Sequence, residues 1–234
     1  MRRFIVLMLL FSGLAQAEPP VPTPHSSTYD VQWGSMTLGD GTVTLAPAAE
    51  KSCFRYESVT NPVGLVRMLY GAPRELTLFC VKNGVIRPTH FEFELGKGNR
   101  QNFSMDFDWK TRKVKTLKEG NLTVRNFEDE TYDRFVLREV VRQWVQNRGK
   151  DLKEGDELKF KMMDDDSLND YRFVYAGLEK VETPAGEFEA MRVDRVNNPD
   201  RILRAWIAPS RDYTIVKLEQ FRNGKVDLRL LLNK

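Results

Sequence analysis

Phe103-Ser104-Met105-Asp106-Phe107-Asp108-Trp109 sets an apolar side chain at every second position and a polar or acidic one between them. A period of two is the mark of a strand with one face in a core and the other in water. The same alternation recurs on both sides of this stretch. Before it stand Tyr29/Val31/Trp33, Phe54/Tyr56 and Phe91/Phe93/Leu95; after it stand Leu158/Phe160/Met162, Tyr171/Phe173/Tyr175 and Val226/Leu228/Leu230/Leu232. Turn residues separate the runs at Asn83-Gly84, Gly96-Lys97-Gly98, Pro184-Ala185-Gly186 and Asn223-Gly224. Met36 and Leu38 lead into Gly39-Asp40-Gly41, and Val43 and Leu45 leave it, which reads as a hairpin turn. Roughly ten strands joined by short turns predict antiparallel meanders, hence a curved sheet or open barrel with one apolar face.

Two segments depart from the alternation. Asn61-Pro62 reads as a helix start, with Leu65, Met68 and Leu69 at helical spacing and Gly71 as the stop. From about Tyr132 to Asn147 a longer amphipathic helix is expected. Leu137, Val140, Val141 and Trp144 share one face, and Glu128, Asp129 and Glu130 place negative charge at its start. Its apolar face needs a partner, and the concave side of the sheet supplies one. The fold class expected is therefore mainly β with one long and one short helix, a single curved antiparallel sheet (half-barrel or open barrel) wrapped around an amphipathic helix.

The first residues, MRRFIVLMLLFSGLAQA, combine Arg2 and Arg3, an apolar run and the small-residue pair Ala15 and Ala17 before Glu18-Pro19-Pro20. This reads as a secretory signal peptide cleaved between Ala17 and Glu18. The run from Phe4 to Leu14 is about half of the ~20 apolar residues a spanning helix needs. No cysteine stands near the junction to carry a lipid, so a lipoprotein anchor is not expected. The organisation expected is a leader at 1–17, a Pro-rich tether at 18–28 that holds a solvated His25, and one β-rich domain at 29–234. The bacterial style of the leader points to the periplasm, an oxidising space. A membrane-spanning barrel fits poorly, because Glu92, Glu94, Asp106, Asp108, Lys159 and Lys161 give the strands a charged face.

The chain has 234 residues, 41% hydrophobic and 29% charged, which excludes a disordered polypeptide. The 36 basic residues nearly balance the 33 acidic ones, and loss of the leader brings the net charge from +3 to +1, so no nucleic-acid partner is expected. Two Cys and two His leave no zinc site and no His-based triad to build.

The sites that remain are few. His90 alternates onto the face of Glu92 and Glu94 and reads as a solvated strand residue rather than a general base. The acidic run Asp164-Asp165-Asp166-Ser167-Leu168-Asn169-Asp170 has Asn169 where a calcium loop needs Gly and Tyr175 where it needs Glu; a solvated loop is expected. Lys110, Arg112, Lys113, Lys115 and Lys118 form a basic cluster. It reads as an edge strand guarded by lysine, or else as a contact for anionic headgroups. Cys53 and Cys80 are expected to pair across the short helix, although alternation groups Cys53 with Arg55 and Glu57 but Cys80 with Leu76 and Leu78, so that a bulge is needed. The aromatics form either a packed core or the wall of an apolar pocket. Trp109, Phe107, Phe160, Phe173, Trp144 and Trp206 are the lining expected if a cavity exists. No catalytic constellation, metal site or cofactor motif is found.

The C-terminal third reads Tyr171-Arg172-Phe173, then Val181-Glu182-Thr183-Pro184-Ala185-Gly186-Glu187-Phe188, then Arg204-Ala205-Trp206-Ile207-Ala208-Pro209, then Val216-Lys217-Leu218-Glu219. This resembles the exported Gram-negative family catalogued as domain of unknown function 3108. The Asn83-Gly84 hairpin followed by Pro88 extends the resemblance to most of the mature chain. The shared residues are structural and bring no catalytic group. The resemblance implies a fold similar to that of the periplasmic lipoprotein carriers, in which an antiparallel sheet wraps helices and leaves an apolar cavity. The function expected is non-enzymatic, a binder or carrier of a lipid-like ligand or lipoprotein acyl chain. The alternative is an envelope scaffold with a solid core whose partner is another envelope protein.

Overall fold

The computed structural model describes residues 21–34, 36–96 and 98–234. The leader and the Ala17/Glu18 junction lie outside the described residues.

Eight strands come first: β1 (His25–Trp33), β2 (Met36–Pro47), β3 (Cys53–Pro62), β4 (Arg74–Lys82), β5 (Val85–Glu94), β6 (Phe103–Asp108), β7 (Lys113–Lys118) and β8 (Asn121–Asn126). Helix α1 (Gly64–Tyr70) stands between β3 and β4. After β9 (Thr131–Asp133) and helix α2 (Leu137–Arg148) follow β10 (Glu157–Met163), β11 (Leu168–Thr183), β12 (Gly186–Arg195), β13 (Leu203–Ala208), β14 (Thr214–Arg222) and β15 (Lys225–Leu232). All fifteen belong to one open sheet, in the order β8-β7-β6-β5-β4-β3-β2-β1-β15-β14-β13-β12-β11-β10-β9. Each half is a meander. The halves join at the centre, where β1 pairs with β15 and Tyr29, Val31 and Trp33 face Leu232, Leu230 and Leu228. Every neighbouring pair is antiparallel except β9 with β10, which α2 connects as a crossover. The fold class is the one the alternation predicts.

The alternating apolar residues turn to the concave side. Leu45, Phe79, Phe91, Met105 and Val114 are fully buried there, and α2 lies against them with Phe135, Val136, Val141 and Val145. Tyr56 of β3 stacks on Phe135 at 4.3 Å between ring centroids. Asp133 receives the free backbone N–H groups of Phe135 and Val136 at the helix entry, each at 2.9 Å, and so caps them. The helix is covered on nearly all sides, so its polar residues pair with one another. Arg142 donates to both carboxylate oxygens of Glu139, at 2.8 and 2.9 Å, and Gln143 donates to the same carboxylate at 3.1 Å.

Several local expectations are corrected. Gly39-Asp40-Gly41 is not a turn: the chain reverses at Gly34, between Trp33 and Met36, and Gly39 and Gly41 lie inside β2. Gly39 instead accommodates a bulge against β1, with φ +146° and a position where a Cβ would lie 2.1 Å from the Asn61 carbonyl oxygen. Asn61 and Pro62 close β3, and α1 starts at Gly64. The tether expected at 18–28 ends sooner, because His25 to Thr28 pair with β2, and the imidazole of His25 bonds the Thr23 carbonyl oxygen at 3.0 Å. β7, read as a guarded edge, is internal; β8 is the edge. Fifteen strands replace roughly ten because β7, β8, β9 and β12 to β14 are short or mixed in pattern.

Candidate functional site

The concave wall is not filled evenly. Where the two meanders meet, a chamber of about 650 Å³ opens between β1, β2, β3, β15 and α1. Alternation places its lining. Tyr29, Val31 and Trp33 come from β1, Leu228 and Leu230 from β15, and Met36, Leu38 and Val43 from β2. Gly41 faces Tyr29 on one side and Thr60 on the other, and its missing side chain leaves space in the wall; a Cβ there would lie 3.4 Å from Val31 Cγ2. Ser58, Thr60 and Pro62 of β3 complete the sheet side, and Leu65 and Val66 of α1 cover it. The return to β4 passes Gly71, with φ +75°, where a Cβ would lie 2.0 Å from the Leu95 carbonyl oxygen; only glycine lets α1 fold back over the chamber. The mouth is apolar too, with Trp33 48%, Met36 54% and Leu65 66% exposed.

Charge enters this wall at one place, where Glu75 of β4 and Arg138 of α2 line the inner end. Glu75 accepts from Arg134 at 2.9 Å and lies 3.8 Å from Arg138. The Arg134 guanidinium lies over Phe93 at 4.4 Å, so the cation is held against an aromatic wall. Burial pushes the hydroxyl of Tyr29 up to about 12, so the chamber meets it as a neutral donor.

The six residues expected to line a cavity do not come together. Trp109 and Trp144 line a separate cleft of about 440 Å³ on another side of α2, where the Trp109 indole donates to the Pro88 carbonyl oxygen at 2.7 Å. Phe107 is in the packed core, edge-on to Phe127. Phe160 stacks on Phe173, ring centroids 5.5 Å apart, and Phe173 lines a third cavity of about 310 Å³ between α2 and β11 to β14. Trp206 stands across from Arg192 and Lys217 on the face opposite Ala205, where its indole donates to Glu179 at 2.7 Å under the Lys217 ammonium. The helix face expected to cover the sheet splits likewise, with Leu137 and Val141 on the third cavity and Val140 and Trp144 on the cleft.

Cys53 and Cys80 are directly opposite in the β3–β4 register and form a disulfide. No bulge between these strands is needed. The phase assigned to β4 was inverted: Thr77 and Phe79 are buried inward, so Leu78 and Cys80 share the outer side with Cys53 and Arg55. His90 pairs across strands with Asp106 at 2.7 Å, while Glu92 and Glu94 go to Arg74. In the acidic loop, Asp165 takes the ammonium of Lys118 and Asp164 lies 3.7 Å from Arg134.

The chamber residues were partly visible in sequence, since Tyr29/Val31/Trp33 and Leu228/Leu230 were read as strand faces. Gly41 reads in sequence as a turn residue, and Glu75 and Arg138 stand in no motif. Their signal is a glycine in phase with inward residues, and charges in phase with a buried face.

An open, barrel-like sheet with a helix in its hollow and an apolar chamber at its seam defines the class of protein. The chain belongs to the family described as protein of unknown function DUF3108, which matches residues 28–230. A barrel-like protein of domain of unknown function DUF1849 from Brucella abortus has a similar fold, with a TM-score of 0.52 and 11% identity over 89% of this chain and 95% of that one. A candidate exported protein with a YmcC-like fold from Bacteroides fragilis gives 0.39, with 14% identity over 89% of this chain and 93% of that one. A candidate lipoprotein from Parabacteroides distasonis gives 0.34, with 12% identity over 92% and 96%. No curated protein sequence matches the chain. No helix among the described residues is long and apolar enough to cross a membrane.

Proposed function

We propose that the protein is a non-enzymatic binder or carrier of a lipid-like apolar ligand in the periplasm, released there by cleavage between Ala17 and Glu18. The observation that carries this reading is the 650 Å³ chamber, whose wall is aliphatic and aromatic apart from Ser58, Thr60 and the Glu75/Arg138 end. Its volume is that of a small-molecule site, for which about 300–1,000 Å³ is usual. Each methylene moved from water into such a wall contributes about 0.8 kcal/mol, so a long alkyl chain binds without any reactive group. A scaffold with a solid core has no use for Gly41 and for the cover that α1 provides.

The experiment is binding of a neutral apolar fluorophore, N-phenyl-1-naphthylamine, to delipidated protein. Leu230→Trp, which places an indole in the chamber opposite Val31, is expected to abolish the signal while the unfolding midpoint holds. Trp144→Ala, which alters the other cleft, is expected to leave it unchanged. Binding that responds to Trp144→Ala and ignores Leu230→Trp would move the site elsewhere.

A further inference from the structure

The 650 Å³ chamber and the 310 Å³ cavity meet on the same concave wall and share Glu75, Arg138 and Leu228. Their chemistry differs. Glu75 and Arg138 are the charged residues lining the larger space, and both stand at the boundary; the smaller space adds Arg134 and Arg195. Three guanidinium groups and one carboxylate thus line the smaller space. Glu75 serves Arg134 and Arg138, and Asp164 lies 3.7 Å from Arg134.

Among the described residues Arg195 has no such partner. It sits on the inner face of β12, across from Phe173 of β11 and Leu203 of β13, with its guanidinium 5.1 Å from the centre of the Tyr171 ring. Burial lowers its pKa, and the other cation acting on it is Arg201. The side chain is part-buried beside apolar walls, and its planar guanidinium fork suits carboxylate or phosphate oxygens.

We propose that the two compartments form one site for a single-chain anionic amphiphile. The alkyl chain lies in the larger chamber, and a carboxylate or phosphate-monoester head group passes Leu228 to reach Arg138 and Arg195. This rests on the reading of the chamber as a lipid site and adds the sign of the head group. A neutral head leaves Arg195 unpaired, and a quaternary ammonium head meets like charge, so the same wall selects against both.

The test displaces N-phenyl-1-naphthylamine with four C16 amphiphiles below their micellar range: hexadecanoate, hexadecyl phosphate, hexadecanol and hexadecyltrimethylammonium. At least one of the two anions is expected to compete at concentrations roughly ten-fold or more below those of the alcohol and the cation, since charge-assisted hydrogen bonds add that much. The better anion identifies the head group. Arg195→Gln is expected to remove this preference and leave competition by hexadecanol unchanged, with the thermal midpoint confirming that the variant folds. Equal competition by anions, alcohol and cation, or an anion preference that survives Arg195→Gln, overturns the head-group assignment and leaves the apolar chamber standing. Failure of the fluorophore and of all four amphiphiles to bind overturns both.

Discussion

Asp133 makes stability depend on pH in a direction opposite to that of most carboxylates. It is fully buried under the start of α2. Its Oδ1 accepts from the Thr77 hydroxyl and from the N–H groups of Phe135 and Val136, all at 2.9 Å, while its buried Oδ2 has no hydrogen-bond partner among the described residues. Desolvation outweighs those three bonds and, with Glu75 adding repulsion, pushes the carboxyl from 3.8 up to about 7. A folded-state pKa above the unfolded value means that protonation favours the fold. The contribution is complete below about pH 4, is lost as pH rises to about 7, and is constant above that. At about 1.36 kcal/mol per pH unit, ionised Asp133 costs on the order of 4 kcal/mol at pH 8, a large share of an ordinary domain's 5–15 kcal/mol.

The assay is urea unfolding of the parent and of Asp133→Asn at pH 5 and pH 8. The amide keeps an acceptor for Phe135, Val136 and Thr77 and carries no charge. Surface carboxylates such as Glu57 and Asp129, whose basic partners lower them, titrate alike in both proteins and cancel in the difference. Between pH 5 and pH 8 the difference is expected to move in favour of the variant by about 3 kcal/mol, with equal m-values at each pH. Parallel pH dependences for the two proteins would refute the reasoning.

Four further outcomes are expected. Arg142→Met strands the carboxylate of Glu139, which is 0% exposed, and is expected to cost about 3–5 kcal/mol in urea unfolding; adding Glu139→Leu recovers most of the loss. Removal of the Cys53–Cys80 bridge in the Cys53→Ser/Cys80→Ser variant opens a loop 27 residues in separation, and a loss of about 3–4 kcal/mol is expected by chemical denaturation; free thiol in the unreduced, denatured parent counts against the bridge. Gly39→Ala forces a Cβ against the Asn61 carbonyl oxygen and is expected to lower stability by more than about 1 kcal/mol; Gly98→Ala, at φ +74° with nothing within 4 Å, carries backbone strain without the clash and is expected to lose less. Intact mass of the exported protein is expected to begin at Glu18, and a mass retaining residues 1–17 contradicts cleavage.

The period of two was enough to read the fold class because most inner strands keep it. Phe103, Met105 and Phe107 are buried as the pattern requires, and Ser104, Asp106 and Asp108 stay outside the core. It failed where composition and face separate. In β4 Leu76 and Leu78 suggest an apolar inner face, yet Thr77, which donates to Asp133, and Phe79 are the residues fully buried inward, and the phase reverses although Leu76 is buried too. Trp206 is buried as a core residue should be, but charged side chains on the opposite face of the sheet cover it. Gly39 and Gly41 are turn residues by composition and bulge and wall residues by register. The lining expected for a cavity consists of large rings, and large rings fill space; the space itself lies where a glycine replaces a side chain.

The polar residues of the hollow bear on the choice between carrier and scaffold. A solid-core protein has apolar residues along a helix buried on all sides, since replacing a buried ion pair by packed hydrophobic residues is often neutral or stabilising. Instead, α2 and the segment leading into it bring Asp133, Arg134, Arg138, Glu139 and Arg142 to the inside. Most of these are balanced locally: Glu139 by Arg142, Glu75 by Arg134 and Arg138, and Asp133 by its cap and its raised affinity for a proton. These pairs hold α2 at one depth, because sliding it by a turn would separate Arg142 from the Asp212 carbonyl oxygen at 3.1 Å and Arg134 from Glu75. A helix fixed in this way leaves the β1–β15 seam to α1, a cover of seven residues, and the chamber beneath it stays open. Arg195 is a part-buried charge that has no ion-pair partner among the described residues, and it lines the cavity that shares Glu75, Arg138 and Leu228 with the chamber.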